Sequence, residues 1–221
     1  MDKVLLVIPA YNEEQNIERV VDQLTGQFPE FDYIVVNDGS KDQTAAICRR
    51  RGYRLLDLPV NLGLAGCFQA GMKYAWEKGY RYAIQFDGDG QHRPEFIKAM
   101  REKMDQGYDI VIGSRFVTVP KGWSPRMIGS RIIGARICDP TSGMRLFNRK
   151  MIGEFALNLN YGPEPDTISF LIHQGARVAE VQVTIDDRTA GESYLKPVTA
   201  IKYMARMLLS ILVVQNFRKR Q

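Results

Sequence analysis

Val4-Leu5-Leu6-Val7-Ile8-Pro9-Ala10-Tyr11-Asn12-Glu13-Glu14 opens the chain with five consecutive apolar residues and turns at once to polar and acidic ones. An apolar run this short and unbroken suits a strand buried on both faces, as in a parallel sheet covered by helices. The same unit recurs downstream. Residues 33–36, 54–58, 82–86 and 109–113 read as further strands. Between them lie helical patterns: from Asn12 as N-cap to about 24, from near Asp42, over 64–78, and through 104 with Pro94 in the first turn. This alternation predicts an α/β fold, a Rossmann-like, mostly parallel sheet with helices on both faces. After Arg115 the rhythm breaks. Residues 117–138 are rich in Gly, Pro, Ser and Arg and read as loop with one short helix. A strand is expected at 144–147, a helix at 166–173 and a strand at 178–185.

The 221 residues suit one domain, and 45% hydrophobic content is enough for a substantial core. A net charge of +5 points to anionic partners such as nucleotide phosphates or an acidic membrane surface. No stacking platform, zinc finger or helix-turn-helix pattern accompanies it, which sets nucleic acid aside. Cys48, Cys67 and Cys138 are odd in number, and their spacing suits no zinc site, so a reducing compartment is expected. The first apolar run ends at Pro9, too short for an export signal, and no uncharged stretch of about 20 apolar residues suggests a bilayer span.

In open parallel sheets ligands bind beyond the carboxyl ends of the strands. Three predicted strands end there in polar groups: Tyr11-Asn12-Glu13, Asn37-Asp38-Gly39-Ser40 and Asp87-Gly88-Asp89-Gly90-Gln91-His92. Asp87 and Asp89 are two apart, so in extended backbone their carboxylates share a side. Their oxygens suit Mg²⁺ or Mn²⁺, with phosphate oxygens completing the shell. A lone Asp-x-Asp is common in surface turns; its place at a strand end favours the metal. Asp38 serves a turn, a base or ribose, or both. His92 is a metal ligand or a helix cap, and His173 is structural.

In order along the chain, Pro9-Ala10-Tyr11-Asn12-Glu13-Glu14, Asn37-Asp38-Gly39-Ser40, Asn61-Leu62-Gly63, Asp87 to His92, Gly113-Ser114-Arg115 and Asp139-Pro140-Thr141-Ser142-Gly143-Met144-Arg145 resemble one family. It is the polyprenyl-phosphate glycosyltransferases of the family-2, GT-A type, which include dolichol-phosphate mannosyltransferase. The resemblance covers residues 3–195, and the 139–145 motif narrows it to polyprenyl-phosphate acceptors. It implies that Pro9, Tyr11, Glu13 and Asp38, with Ser40 beside them, hold the nucleoside of a nucleotide-sugar donor. Asp87, Asp89 and Gln91 would hold metal and diphosphate. Asp89, Arg115 and Arg145 would carry the chemistry, the arginines gripping phosphates, with Ser142 near the acceptor. The transferred sugar would invert its anomeric configuration, and a UDP-sugar is favoured as donor.

A lipid phosphomonoester, with a second pKa of about 6, is already largely ionised and needs little help from a base. It needs cations that hold two anions in line, and arginine suits phosphate better than lysine. Glu164 and Asp166 are the nearest conventional bases, and positioning of the acceptor or sugar hydroxyls is an equal reading. Residues 128–137 are several residues shorter than the family's amphipathic acceptor stretch. Residues 198–217 read as a helix with a narrow polar stripe and a basic end at Arg218-Lys219-Arg220. We therefore divide the chain into a catalytic domain, 1–195, and an amphipathic segment, 196–221. That segment would dock on a membrane surface, a small membrane protein or a second subunit, which places the protein at the cytoplasmic inner face of the cell membrane. A family-2 enzyme with a soluble or glycan acceptor is the alternative, and a non-catalytic nucleotide-sugar-binding module is a third reading.

Overall fold

The first strand, β1 (Val4–Ala10), sends Val4, Leu6 and Ile8 to one apolar layer and Leu5 and Val7 to the other, and none of them is more than 3% exposed. Coverage on both faces is why the run is continuous rather than alternating. A computed structural model describes residues 3–118, 137–158 and 162–186.

The remaining strands are β2 (Asp32–Asn37), β3 (Leu55–Asp57), β4 (Tyr82–Gln85), β5 (Ile110–Ser114), β6 (Arg145–Asn148) and β7 (Val178–Gln182). Among the described residues they form one sheet in the order β3-β2-β1-β4-β6-β5-β7. All neighbours are parallel except β6, which runs antiparallel to both β4 and β5. Helices α1 (Ile17–Gln27), α2 (Thr44–Arg50) and α4 (Phe96–Met104) cover one face. The other face carries α3 (Gly63–Glu77), α5 (Arg149–Leu157) and α6 (Pro165–His173). This is the GT-A arrangement expected from the sequence. The α3 face is built around Phe68, Phe147 and Phe155, whose ring centroids lie 5.1–5.6 Å apart in tilted and edge-on pairs.

Gly71 of α3 lies directly on Val7, and a methyl group there would overlap the valine side chain. Gly71→Ala is expected to cost about 1–3 kcal/mol through overpacking. A lowered urea midpoint at unchanged slope would show it, and an unchanged midpoint would refute close seating of α3 on β1.

Three local readings are corrected. The first helix starts at Ile17, not just after Asn12. Asn12 instead takes a left-handed backbone (φ 56°), which asparagine tolerates better than most side chains, and its side chain accepts from Lys41 N–H across the loop at 2.9 Å. The chain also has α5, which the sequence reading omitted. Asn148 caps it, accepting from Met151 N–H at 3.0 Å, and Met151, Ile152, Phe155 and Ala156 form its buried stripe. β7 stops at Gln182, three residues before the expected end. The short helix expected within 117–138 and the amphipathic segment 196–221 fall wholly or mainly outside the described residues. Among those described, no helix is long and apolar enough to cross a membrane.

Candidate active site

Four parallel strands deliver their polar ends to one edge of the sheet. β1 ends at Ala10, whose carbonyl accepts the Asp38 N–H at 2.9 Å just beyond β2. Asp38 is 4% exposed, and its Oδ1 accepts from Leu62 N–H at 2.7 Å, pinning the start of α3. Gly39 beside it has φ 65°, and a β-carbon there would stand 2.7 Å from Asn61 N, so the turn needs glycine for both reasons. Pro9 is part of β1, opposite Val36 of β2. Ser40 Oγ accepts from Asn12 N–H at 3.0 Å, and Glu13 N–H donates to Thr44 Oγ1 at 2.9 Å. The Glu13 carboxylate accepts from Asn16 Nδ2 at 2.8 Å. Tyr11 is 38% exposed beside this cradle. The residues expected to hold the nucleoside are thus brought together, with Ser40 and Glu13 fastening the β1 and β2 loops to each other.

The second group follows β4. Gly88 passes so close to β1 that a β-carbon on it would lie 3.1 Å from the Pro9 carbonyl oxygen. The backbone turns at Gly88-Asp89 rather than staying extended, so the expected sharing of one side by Asp87 and Asp89 is replaced by a turn. Within it Asp89, 8% exposed, accepts the Gln91 N–H at 3.0 Å. Asp87 keeps a side chain 34% exposed. Gln91, expected to face a metal, directs its amide nitrogen to the Asp186 carbonyl at 3.1 Å and receives the Asp186 N–H on its own carbonyl at 3.0 Å. Arg93 fastens the same crossing, its Nε donating to both Asp186 oxygens at 2.8 and 2.9 Å. The Arg93 hydrogen bonds hold the Asp186 carboxyl below its ordinary range.

The third group comes from the one antiparallel strand. Because β6 runs backwards, its first residue and the 139–145 loop before it reach the same edge as the ends of β4 and β5. Arg145 opposes Gln85 across the β4 ladder and Ile112 across β5, and directly opposed residues share a face. Gln85 in turn donates to Asp87 Oδ1 at 3.4 Å. Gly143 abuts the same carboxylate: a β-carbon there would stand 2.9 Å from Asp87 Oδ2. The acidic loop and the acceptor motif therefore meet at Asp87.

Four of the residues expected to contact ligand also make contacts within the chain. Arg115 closes its fork on Asp139, Nε to Oδ2 at 2.6 Å and Nη2 to Oδ1 at 2.9 Å, so its main partner is a carboxylate of the chain itself. Asp139 is fully buried, and Glu180 supports it by accepting the N–H groups of Cys138 and Asp139 at 2.7 and 2.8 Å. Arg145 is only 2% exposed and donates to the Pro140 carbonyl at 2.8 Å. Arg145 thus lies beneath the 139–145 loop, on a strand flanked by β4 and β5. Ser142 is 1% exposed, its hydroxyl accepting from Met144 N–H at 3.2 Å within the turn. Asp166, 6% exposed, accepts from Thr167 N–H at 2.9 Å in the first turn of α6. A β-carbon on nearby Gly162 would lie 2.9 Å from Ala65 Cβ, which seats the start of this segment against α3.

Sequence reasoning missed Gln85 and Glu180. Gln85 was a legible signal, an amide closing an otherwise apolar strand. Glu180 lies 41 residues from the loop it holds, and nothing local marks it.

Among the described residues no three acidic, histidine or cysteine side chains form a closed metal cage. Asp87 and Asp89 offer hard oxygen donors alone, which fits Mg²⁺ or Mn²⁺, ions that take one or two carboxylates and leave room for substrate phosphates. His92 does not fit as a ligand. Its Nδ1 accepts the Asp87 N–H at 3.0 Å, so its proton sits on Nε2.

The chain matches the model of glycosyl transferase family 2 over residues 5–156. It is 28% identical over 212 residues to polyprenol monophosphomannose synthase of Mycolicibacterium smegmatis, covering 86% of this chain and 80% of that one. To undecaprenyl-phosphate mannosyltransferase of Micrococcus luteus it is 29% identical over 211 residues, covering 86% of each. In fold it is similar to glucosyl-3-phosphoglycerate synthase of Mycobacterium tuberculosis, solved with Mn²⁺, UDP and phosphoglyceric acid. The TM-score is 0.70 at 18% identity, covering all of this chain and 80% of that one. Carboxylates gathered at the tips of a GT-A sheet and a match across more than half its length give one answer: this chain belongs to glycosyl transferase family 2.

Proposed function

We propose that the protein transfers a sugar from a nucleoside diphosphate sugar to a polyprenyl phosphate, inverting the anomeric carbon. The carrying observation is the meeting of Gly143, from the acceptor motif, with Asp87 of the acidic loop, while Asp38 follows β2, with β1 standing between it and β4. Two relatives whose names specify transfer to polyprenyl phosphates support the acceptor.

An acceptor phosphate oxygen attacks the anomeric carbon, and the bond from that carbon to the diphosphate oxygen breaks with both electrons leaving on the diphosphate. The acceptor is already ionised, so the protein's task is alignment and charge. Asp38, Pro9, Tyr11, Glu13 and Ser40 seat the nucleoside. Asp87 and Asp89 would hold Mg²⁺ or Mn²⁺, which neutralises charge on the departing diphosphate when bound. Arg145 supplies a fixed positive charge beneath the 139–145 loop, and Arg115 shapes that loop through Asp139. Ser142, Gln91 and Asp166 serve as loop and helix supports that border substrate. A lipid acceptor puts the reaction at a membrane surface, which we take to be the inner face, with residues 196–221 as the docking segment for lipid, a membrane partner or a second copy.

The test is a panel of UDP-glucose, UDP-N-acetylglucosamine and GDP-mannose, each with undecaprenyl phosphate or with 3-phosphoglycerate, plus Mn²⁺ or Mg²⁺. The expected result is lipid-linked product from one donor, best with a UDP-sugar and abolished by EDTA. Product on 3-phosphoglycerate alone would overturn the acceptor, and EDTA-resistant turnover would overturn the metal.

A further inference from the structure

His92 is absorbed neither as a metal ligand nor as a helix cap, yet it is 5% exposed and both its ring nitrogens meet Asp87. Nδ1 accepts the Asp87 backbone N–H at 3.0 Å. Nε2 stands 3.4 Å from the Asp87 carboxylate oxygen Oδ2. The tautomer needs no assumption: a backbone amide only donates, so Nδ1 accepts and Nε2 presents its proton to the carboxylate. The ring is itself immobilised, edge-on to buried Phe86 with centroids 5.6 Å apart. Gly143 closes the other side, where a β-carbon would come within 3.4 Å of His92 Cε1.

The Asp87 carboxylate is therefore held at both oxygens, Oδ1 by the Gln85 amide at 3.4 Å and Oδ2 by His92. The lone pairs left over are those that a bound cation would use. We infer that His92 is a positioning residue that aims the Asp87 carboxylate at the divalent cation, chiefly by anchoring the backbone of that residue. The inference rests on the metal reading proposed above. Outer partners that orient a metal's ligands characteristically change affinity by about 10–100-fold when removed.

The experiment titrates Mn²⁺ into the full-length protein and follows free Mn²⁺ by electron paramagnetic resonance, beside the half-saturating Mn²⁺ concentration in turnover. His92→Phe keeps a flat ring against Phe86 but has neither nitrogen, and is expected to weaken Mn²⁺ binding by at least about tenfold. His92→Asn places a carbonyl oxygen where Nδ1 sits and restores the bond to the Asp87 N–H. It is expected to remain within about threefold of the parent, because the backbone anchor returns. Melting temperatures accompany both. If the parent binds Mn²⁺ and the Phe variant binds it as tightly, the His92 inference is wrong while the metal reading stands. If the Phe and Asn variants melt like the parent yet are equally weak, an acceptor for the Asp87 N–H is not the cause and the inference also fails. A parent that sequesters no Mn²⁺ overturns the metal reading itself, and this inference with it. Should His92→Phe fail to fold, the Asn variant decides: a loss beyond tenfold is the overturning result.

Discussion

Asp89→Asn is expected to lower sugar transfer by about 10²–10³-fold, the size of loss seen when one group that stabilises developing charge is removed. The substitution is nearly isosteric, and the asparagine oxygen still accepts the Gln91 N–H that shapes the turn, a bond of 3.0 Å in the parent. The negative charge goes, and one acceptor oxygen becomes a donor. The melting temperature should therefore stay within a few degrees of the parent while the metal requirement shifts upward. Asp89 is the more buried of the two acids, at 8% exposure, so its charge is less screened by water than that of Asp87. Steady-state kinetics over a Mn²⁺ series is the measurement. Full activity in Asp89→Asn would remove the loop 87–91 from the chemistry.

Arg115→Ala should act first on stability, at roughly 2–3 kcal/mol. Stranding one member of a buried ion pair typically costs about 3–5 kcal/mol, and the Arg115 side chain is 33% exposed, which screens the pair and lowers the figure. Asp139 has no exposure and, among the described residues, keeps only weaker partners, the Thr141 hydroxyl at 3.1 Å and the N–H donated to it by residue 115 at 3.3 Å. A phosphate-gripping role would instead leave stability unchanged and raise the KM for acceptor. Urea unfolding separates the two.

The same pair sets an acid limit. Burial pushes the Asp139 carboxyl up, but the Arg115 hydrogen bonds and charge, its backbone N–H and Thr141 outweigh that and hold it below the ordinary 3.8. A carboxyl depressed on folding stabilises the native state above its unfolded value, and that contribution is lost as pH falls through the folded one. Urea stability should thus decline as pH drops below about 4. Asp139→Asn should flatten that decline, and an unchanged acid limb would show that other carboxylates set it.

Much of the site was legible because its residues are local to strand ends. Asn37-Asp38-Gly39-Ser40 and Asp87 to His92 each directly follow an apolar run, and the carboxyl ends of parallel strands converge by construction. Roles were less legible than places. Arg115 and Arg145 were read as phosphate grips because each sits in a motif of the family the sequence resembles. The partners they find within the chain, Asp139 and the Pro140 carbonyl, are set by loop closure over 24 and 5 residues. α5 was overlooked although Met151, Ile152, Phe155 and Ala156 carry its helical period.

From the amino-acid order alone came the parallel sheet, its two-faced burial and the acidic loop at the tip of β4, since these follow from apolar runs and their endings. Only the folded chain decided that β6 runs antiparallel, which carries Gly143 to Asp87 and buries Arg145. It also decided that His92 spans its neighbour instead of facing a metal. Strand direction and side-chain partnership depend on contacts between distant segments, and short-range pattern holds no record of them.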